Sequence, residues 1–263
     1  MRKFVLWGIP AVLIAAIIWV ASLPAQWLVD RIQQQLPNLS IGHVNGYLWR
    51  GSMDDVEWVQ RGYPLSLGNI QWRLDWMSFV VFKPCLIFSV AAEQRQGQGH
   101  LCIHPLSKTL IAHQLQGELP TTDIAEIFGI AVEGTVQIKL DGFTVADQQL
   151  EWIRGDLIWQ HAQFHNGEKW LDIGNLLIAL DSDPVSKNIS AHWLDMTNQQ
   201  GFSPLDIDVD MQFNRGRLLL MQGSLRPLHT TDPSLRDTLA LISQYQHDKT
   251  YFIEQRFQPS RTH

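Results

Sequence analysis

After residue 40 the chain alternates apolar and polar residues over several segments, most clearly at 69–76, 136–141 and 205–214. In the first of these segments the apolar positions are Ile70, Trp72, Leu74 and Trp76. A period of two gives a strand one apolar face and one solvated face, a pattern typical of antiparallel sheets. The pattern therefore predicts a mainly β domain of antiparallel strands.

Few helices interrupt this pattern. Thr121-Thr122-Asp123 predicts a short helix that runs to Phe128, and Asp232-Pro233 predicts the start of another that continues to Tyr245.

A β-hairpin is predicted before the first of these helices. Its two strands are Cys85–Val90 and His100–Ile103, and the Gly-containing stretch Gln94–Gly99 separates them. Strands punctuated in this way predict a β-hairpin.

The two halves of the β-rich part resemble each other. Residues 68–75 match 174–181, and at the same offset residues 116–119 match 222–225. Residues 46–49 also resemble 155–159. We expect an internally duplicated β-meander with repeats of about 41–130 and 150–245, the alternative being chance similarity between Gly-x-apolar strands.

The N-terminal segment predicts one membrane-spanning helix. Phe4–Leu23 contains twenty positions without a charge, and a helix of that length spans about 30 Å, the thickness of the hydrocarbon core. Arg2 and Lys3 precede it, which favours a cytoplasmic N-terminus. A cleaved signal peptide is the alternative, but its apolar region is shorter and Leu23-Pro24-Ala25 is a poor cleavage site.

These features divide the chain into a cytoplasmic tail (1–3), a spanning helix (4–23), a juxtamembrane segment (24–40) and a β-rich domain beyond the membrane (41–263). In the juxtamembrane segment Trp27, Leu28, Ile32 and Leu36 fall near helical spacing. The segment predicts either a stalk helix near the membrane surface or the first helix of the folded domain.

Composition and motifs exclude several functions. A net charge of -6 argues against nucleic acid as a partner. The chain has no P-loop, dinucleotide fingerprint, nucleophile elbow or zinc-protease motif, so we predict no catalytic residue and no cofactor.

Asp206, Asp208 and Asp210 suggest a calcium loop, but Met211 and Arg217 stand where such a loop needs Gly and Glu. We interpret the aspartates as the solvated face of a strand and predict no metal site.

The histidine pairs His100/His104 and His161/His165 are also interpreted as structural. Residues four apart along a strand stand about 13 Å apart, too far to share one metal ion.

The two cysteines, Cys85 and Cys102, fall on the two strands of the predicted hairpin. A domain beyond the inner membrane meets oxidising conditions, so we predict a cross-strand disulfide. Two buried thiols are the alternative.

The motif residues Gly46, Leu48, Trp49, Gly51, Trp72 and Leu74 occur in an order that resembles the type II secretion system protein N family, also called general secretion pathway protein N. The resemblance covers nearly the whole chain. It implies an accessory or scaffold component of the cell inner membrane that supports export of folded proteins, with other secretion components as partners and no catalytic motif.

A second class has a similar outline. The AsmA-like group contains anchored proteins whose one-sided β-sheets form apolar grooves that bind or convey lipid. The apolar residues of segment 69–76 would line such a groove if it were open. An enzyme is the third possibility and has little support in the sequence.

Overall fold

The computed structural model of the chain describes residues 22–60, 63–80, 83–104, 107–128, 131–147, 149–183, 188–196, 204–214, 217–228, 231–243, 245–247 and 250–256. The predicted spanning helix lies outside these residues except for Ser22 and Leu23. Over the ranges described, the structure contains no helix with the length and apolar character needed to cross a membrane.

The described residues form fourteen strands and four short helices. The strands are β1 (Leu39–Tyr47), β2 (Arg50–Gln60), β3 (Tyr63–Asp75), β4 (Cys85–Ala92), β5 (Arg95–His104), β6 (Thr109–Pro120), β7 (Val132–Ala146), β8 (Gln149–His165), β9 (Trp170–Ser182), β10 (Asn188–Asp195), β11 (Leu205–Asn214), β12 (Arg217–Pro227), β13 (Tyr245–His247) and β14 (Thr250–Arg256). The helices are α1 (Ala25–Gln35), α2 (Trp76–Val80), α3 (Thr121–Phe128) and α4 (Pro233–Ile242).

All fourteen strands belong to one antiparallel sheet. They follow each other in sequence order from β1 to β12, and β14 then lies between β12 and β13. The predicted mainly β, antiparallel architecture with few short helices is confirmed. Two-residue turns join β1 to β2 and β4 to β5, and antiparallel neighbours need no more than such a turn between them.

Strand register gives the sheet two chemically different faces. One cross-strand row that reaches every strand except β13 is apolar or Gly throughout: Val44, Met53, Ile70, Val90, Gly97, Gly117, Ile138, Leu157, Ile178, Trp193, Val209, Gly223 and Ile253. The row beside it is polar except for Ala179: Asn45, Ser52, Gln71, Ser89, Gln98, Gln116, Lys139, Asp156, Ala179, His192, Asp210, Gln222 and Glu254. Successive residues of a strand point to opposite faces, so the sheet has an apolar face and a polar face.

The main core lies on the apolar face of the C-terminal half. Leu235 and Leu239 of α4 are buried there with Leu176, Val209 and Ile253 from three strands. The helix begins where the sequence predicts, because the Asp232 carboxylate accepts a hydrogen bond from the Ser234 N–H and caps its N-terminus. Helix α3 also spans the predicted residues.

Helix α1 belongs to the folded domain. It contacts β1, and its Ala25 and Val29 are buried. The Leu48 N–H donates to the Leu23 carbonyl at 3.1 Å, and Pro24 forms a β-bridge with Tyr47. This geometry corresponds to the second of the two alternatives for the juxtamembrane segment. The predicted domain limits stay predictions.

Three local predictions were wrong. Trp76 begins α2, where it is 62% exposed, and does not continue the apolar stripe of β3. Tyr245 starts β13 and pairs with Phe252, so α4 ends before it. The predicted hairpin of β4 and β5 is confirmed, but its turn consists of Glu93 and Gln94, and the stretch from Arg95 to Gly99 is strand. A Cβ at Gly99 would lie 2.4 Å from Leu115 Cδ2 on the apolar face, so the end of the Leu115 side chain would have to shift to admit a larger residue.

The two matched segments occupy comparable places. Strands β3 to β6 precede α3, and β9 to β12 precede α4. Gly46 and Gly155 are not comparable, because Gly46 lies beside the β1–β2 turn and Gly155 lies within β8. The common origin of the two halves stays a prediction.

Candidate functional site

The family-like motif builds the turn between β1 and β2. Leu48 and Trp49 form this turn, which is closed by the pair Tyr47 and Arg50. Gly46 has a φ of +94°, and a Cβ there would lie 2.5 Å from the Arg50 carbonyl oxygen. Only glycine satisfies both the backbone conformation and the close approach.

Two further motif residues fasten this turn to β3. Trp72 is 6% exposed, and its Nε1 donates a hydrogen bond to the Leu48 carbonyl at 3.0 Å. Its indole ring lies over Gly51, where a Cβ would be 2.4 Å from Trp72 Cζ2. The Leu74 N–H donates to the Trp49 carbonyl at 2.7 Å. The structure thus brings all six motif residues together, and their contacts are structural.

An aromatic patch, defined here as Tyr47, Trp49 and Trp76, combines two residues of this turn with the first residue of α2. The ring centroids of Tyr47 and Trp49 are 6.4 Å apart, and those of Trp49 and Trp76 are 5.9 Å apart. Tyr47 is 53% exposed, and Met77, which follows Trp76, is 77% exposed. The contacts of Leu23 and Pro24 with this turn place the patch beside the point where the chain leaves the predicted span.

Cys85 and Cys102 lie directly opposite each other on β4 and β5. Their sulfur atoms are 2.03 Å apart and their Cα atoms 4.0 Å apart, so the structure contains the disulfide bond. The next pair on the same face is Ile87 and His100. The bond therefore fixes the register of the two strands at the edge of the concavity described next.

A concavity lies on the polar face of β1 to β7, and we call it the polar trough. It has a volume of about 1450 Å³. One cross-strand row that lines it is mostly basic: Arg50, Arg73, Ile87, His100 and His113. The next row on this face is mostly amide and hydroxyl: Ser52, Gln71, Ser89, Gln98, Gln116 and Lys139.

The trough continues along the sheet. A second concavity of about 510 Å³ shares Ser89, Gln98, Gln116 and Lys139 of this row and extends to Gln96 and Glu118. Gln98 donates to Gln116 at 3.3 Å, and Gln96 donates to Glu118 at 3.1 Å. These cross-strand bonds link side chains of β5 and β6 along the floor of the trough.

Basic residues of the same type lie directly opposite each other on neighbouring strands of the trough. Arg50 lies directly opposite Arg73, and His100 lies directly opposite His113. Within the part of the chain that the structure describes, no side-chain ion pair involves Arg50, Arg73 or Lys139. Asp141 is the acidic residue that shares the lining. The trough therefore carries local positive charge in a chain whose net charge is negative.

Sequence reasoning missed the pairing of Arg50 with Arg73 in the polar trough. Arg73 is visible in the sequence only as one polar position of an alternating strand, and Arg50 only as the variable position of the glycine motif. The two residues are far apart in sequence, and strand register alone makes them neighbours. Alternation in each strand separately was the only signal available.

The three aspartates that suggested a calcium loop lie on the solvated side of β11. Asp206, Asp208 and Asp210 alternate with the buried residues of this strand, so the strand interpretation is confirmed. Asp208 contacts His192 Nε2 at 2.9 Å. The described ranges contain no group of three or more His, Cys, Asp or Glu residues arranged to hold a metal ion.

Among the titratable groups that the structure describes, Asp232 has a clearly shifted pKa. The Lys169 ammonium lies 2.8 Å from both carboxylate oxygens of Asp232, and the Ser234 N–H also donates to this carboxylate. These two interactions, with that of Lys169 the larger, lower the pKa of Asp232 below its usual value. The pair connects the β8–β9 turn to the N-terminus of α4.

These features define a class: single-sheet β-meander proteins with an extended polar face and a core covered by a short helix. Comparison of the sequence with models of known protein families shows which family the chain belongs to. The model of the type II secretion system protein N family matches residues 37–253, and the chain belongs to that family. Neither the curated proteins nor the solved structures provide a match to the chain.

Membership confirms the resemblance that the motif order indicates. The family consists of type II secretion components and is not an enzyme family, so the chain is a component of this protein-transport machinery. The match begins at residue 37, just before β1, and includes the motif turn, the disulfide strands and most of the sheet.

Proposed function

We propose that the protein is a scaffold of the type II secretion system, anchored in the cell inner membrane by one span and without catalytic turnover. The observation that carries the proposal is the family match over residues 37–253. In this arrangement residues 1–3 are cytoplasmic, residues 4–23 span the membrane and the β-sheet lies in the periplasm. Its partners are other components of the secretion machinery.

The contacts of the N-terminal segment support an anchored domain held close to the bilayer. A backbone hydrogen bond joins Leu48 to Leu23, the last residue of the predicted span. Helix α1 is packed against β1 and leaves no long free tether. The aromatic patch then lies near the lipid headgroups, where amphipathic rings are favoured.

Topology is tested with fusions of a reporter that is active only in the periplasm. Fusions after Asn38 and after His263 should both be active, and the protein should stay in washed membranes. Inactive fusions would contradict the proposed orientation. Release of a shortened protein from the membrane would instead favour a cleaved signal peptide.

The scaffold function requires confinement at the membrane. Replacing residues 1–21 by a cleavable signal peptide should reduce export at native expression, because the domain loses the high effective concentration that anchoring gives. An unrelated single-pass anchor in the same place is the matched control and should restore export. The measurement is the amount of a secreted enzyme in the medium against the amount trapped in the periplasm.

Strand β1 provides a surface for a partner. It is one edge of the sheet, and a strand edge presents backbone groups that a partner strand can pair with. A single cysteine at the exposed residue Ser40 should cross-link to another secretion component in cells. Cysteine at the exposed residue Gln222 of β12, which pairs with a strand on each side, is the control and should give no such product.

The outcomes distinguish the proposal from its alternatives. Unchanged export with altered envelope lipid in a deletion strain would contradict the secretion scaffold and support lipid handling. A polar substitution that abolishes export while folding and membrane assembly stay intact would contradict the absence of catalysis. Whether the β-meander arose by internal duplication has no bearing on the deletion experiment or on the polar substitution.

A further inference from the structure

We propose that the polar trough binds a segment of an acidic oligosaccharide. Its carboxylate or phosphate groups would lie against Arg50 and Arg73, and its hydroxyl groups against the amide and hydroxyl row. The proposal concerns a ligand of the sheet face and does not depend on the scaffold function.

The paired arginines give the first argument. Arg50 and Arg73 are directly opposite on neighbouring strands and both line the trough. Like charges directly opposite each other destabilise a sheet, and an anion bound between the two guanidinium groups would offset their repulsion. Neither takes part in an ion pair among the residues that the structure describes. Guanidinium groups present planar pairs of donors that match carboxylate and phosphate oxygens.

The adjacent row gives the second argument. Gln71, Gln98 and Gln116 each carry a donor and an acceptor, and Ser89 adds a hydroxyl between them. Sugar hydroxyls also donate and accept, so a run of such side chains is complementary to a saccharide surface. Apart from Ile87, the side chains of the two rows are polar, which disfavours an acyl chain.

Size gives the third argument. Pockets for small molecules have volumes of about 300–1,000 Å³, whereas the trough has about 1450 Å³ and continues into a further 510 Å³. A polymer segment suits a long concavity of this kind better than a single small molecule. The Cys85–Cys102 bond beside the pair Ile87 and His100 keeps two of the lining strands in register.

Calorimetry on the full chain, in a detergent without a sugar headgroup, tests the proposal. The probe is an oligogalacturonate, which carries one carboxylate on each sugar. A malto-oligosaccharide of equal length is the neutral comparison, a glutamate oligopeptide is the acidic non-saccharide comparison, and inorganic phosphate is the small-anion comparison. The oligogalacturonate should bind at least about tenfold more tightly than each comparison, and its affinity should fall as salt rises.

Two variants and one control locate the site. Arg50→Gln and Arg73→Gln should each weaken oligogalacturonate binding by about tenfold or more, since each removes charged hydrogen bonds. Arg73→Lys keeps the charge but loses the planar fork and should have an intermediate effect. Arg256→Gln, the same change at an exposed arginine of β14, should leave binding unchanged. Far-UV circular dichroism checks that every variant is folded.

Several results would overturn the proposal. Absence of binding by the oligogalacturonate would do so, as would equal binding of the neutral saccharide or of phosphate. Equal or tighter binding of the glutamate peptide would assign the trough to an acidic protein segment instead. An equal loss in the folded Arg256→Gln variant would show that binding depends on net charge and not on the trough.

Discussion

Trp72 connects the β1–β2 turn to β3, so its removal is the most direct test of the motif. Its side chain is 6% exposed, and its Nε1 donates to the Leu48 carbonyl. Truncation of a buried large side chain costs about 3–5 kcal/mol. The lost hydrogen bond contributes about 1 kcal/mol of that. We therefore expect Trp72→Ala to lower the free energy of unfolding by about 3–5 kcal/mol.

Two companion variants separate the contributions. Trp72→Phe keeps most of the ring but leaves the Leu48 carbonyl without its donor, which should cost about 1–3 kcal/mol. Gly51→Ala introduces a Cβ only 2.4 Å from Trp72 Cζ2 and 2.6 Å from the Asn45 carbonyl oxygen. Overpacking of this kind should cost about 1–3 kcal/mol.

Trp58→Ala is the matched control, because Trp58 lies on β2 and is 40% exposed. It should cost clearly less than Trp72→Ala, since less apolar area is removed from water. The assay is urea unfolding of the full chain in detergent, followed by far-UV circular dichroism and linear extrapolation. A loss below about 1 kcal/mol for Trp72→Ala, or one equal to that of Trp58→Ala, would refute the assignment of Trp72 to the core.

Three further predictions concern other parts of the sheet. In unfolded, unreduced protein, maleimide should label neither Cys85 nor Cys102, and the double alanine variant should lose about 3 kcal/mol for the loop of 17 residues; labelling without reductant would contradict the bond. The pKa of Asp232 is lowered in the folded state, so its contribution to stability is present above the ordinary pKa of 3.8 and is lost as pH falls through the lower folded value. Stability measured from pH 6 to pH 2 should show this loss in wild type and much less of it in Lys169→Met, and identical profiles would contradict the contact. Asp208→Asn should change the free energy of unfolding by less than about 1 kcal/mol, because its contact with His192 is solvent-exposed; a larger loss would indicate that this carboxylate has a further role.

The sequence by itself determined the fold class and the family. Alternation in strands such as Leu205–Asn214 reports directly which side chains face the core, because the side-chain period of a strand is two. The helix start at Asp232 was equally readable, since capping depends on residues within one turn of the helix. The ordered motif around Trp49 and Trp72 indicated the family because its residues are close enough along the chain to be read together.

Only the tertiary structure decided which strands lie side by side and in which register. Arg50 and Arg73 face each other because β2 pairs with β3 in one register, and a slip of one residue would send one of the two side chains to the opposite face. Gly99 looked like part of a turn because the sequence does not show that Gly99 lies within β5 and pairs with Phe88 of β4. The polar trough depends on such long-range pairings, and the physical reason it escaped prediction is that local periodicity carries no information about neighbours across a sheet.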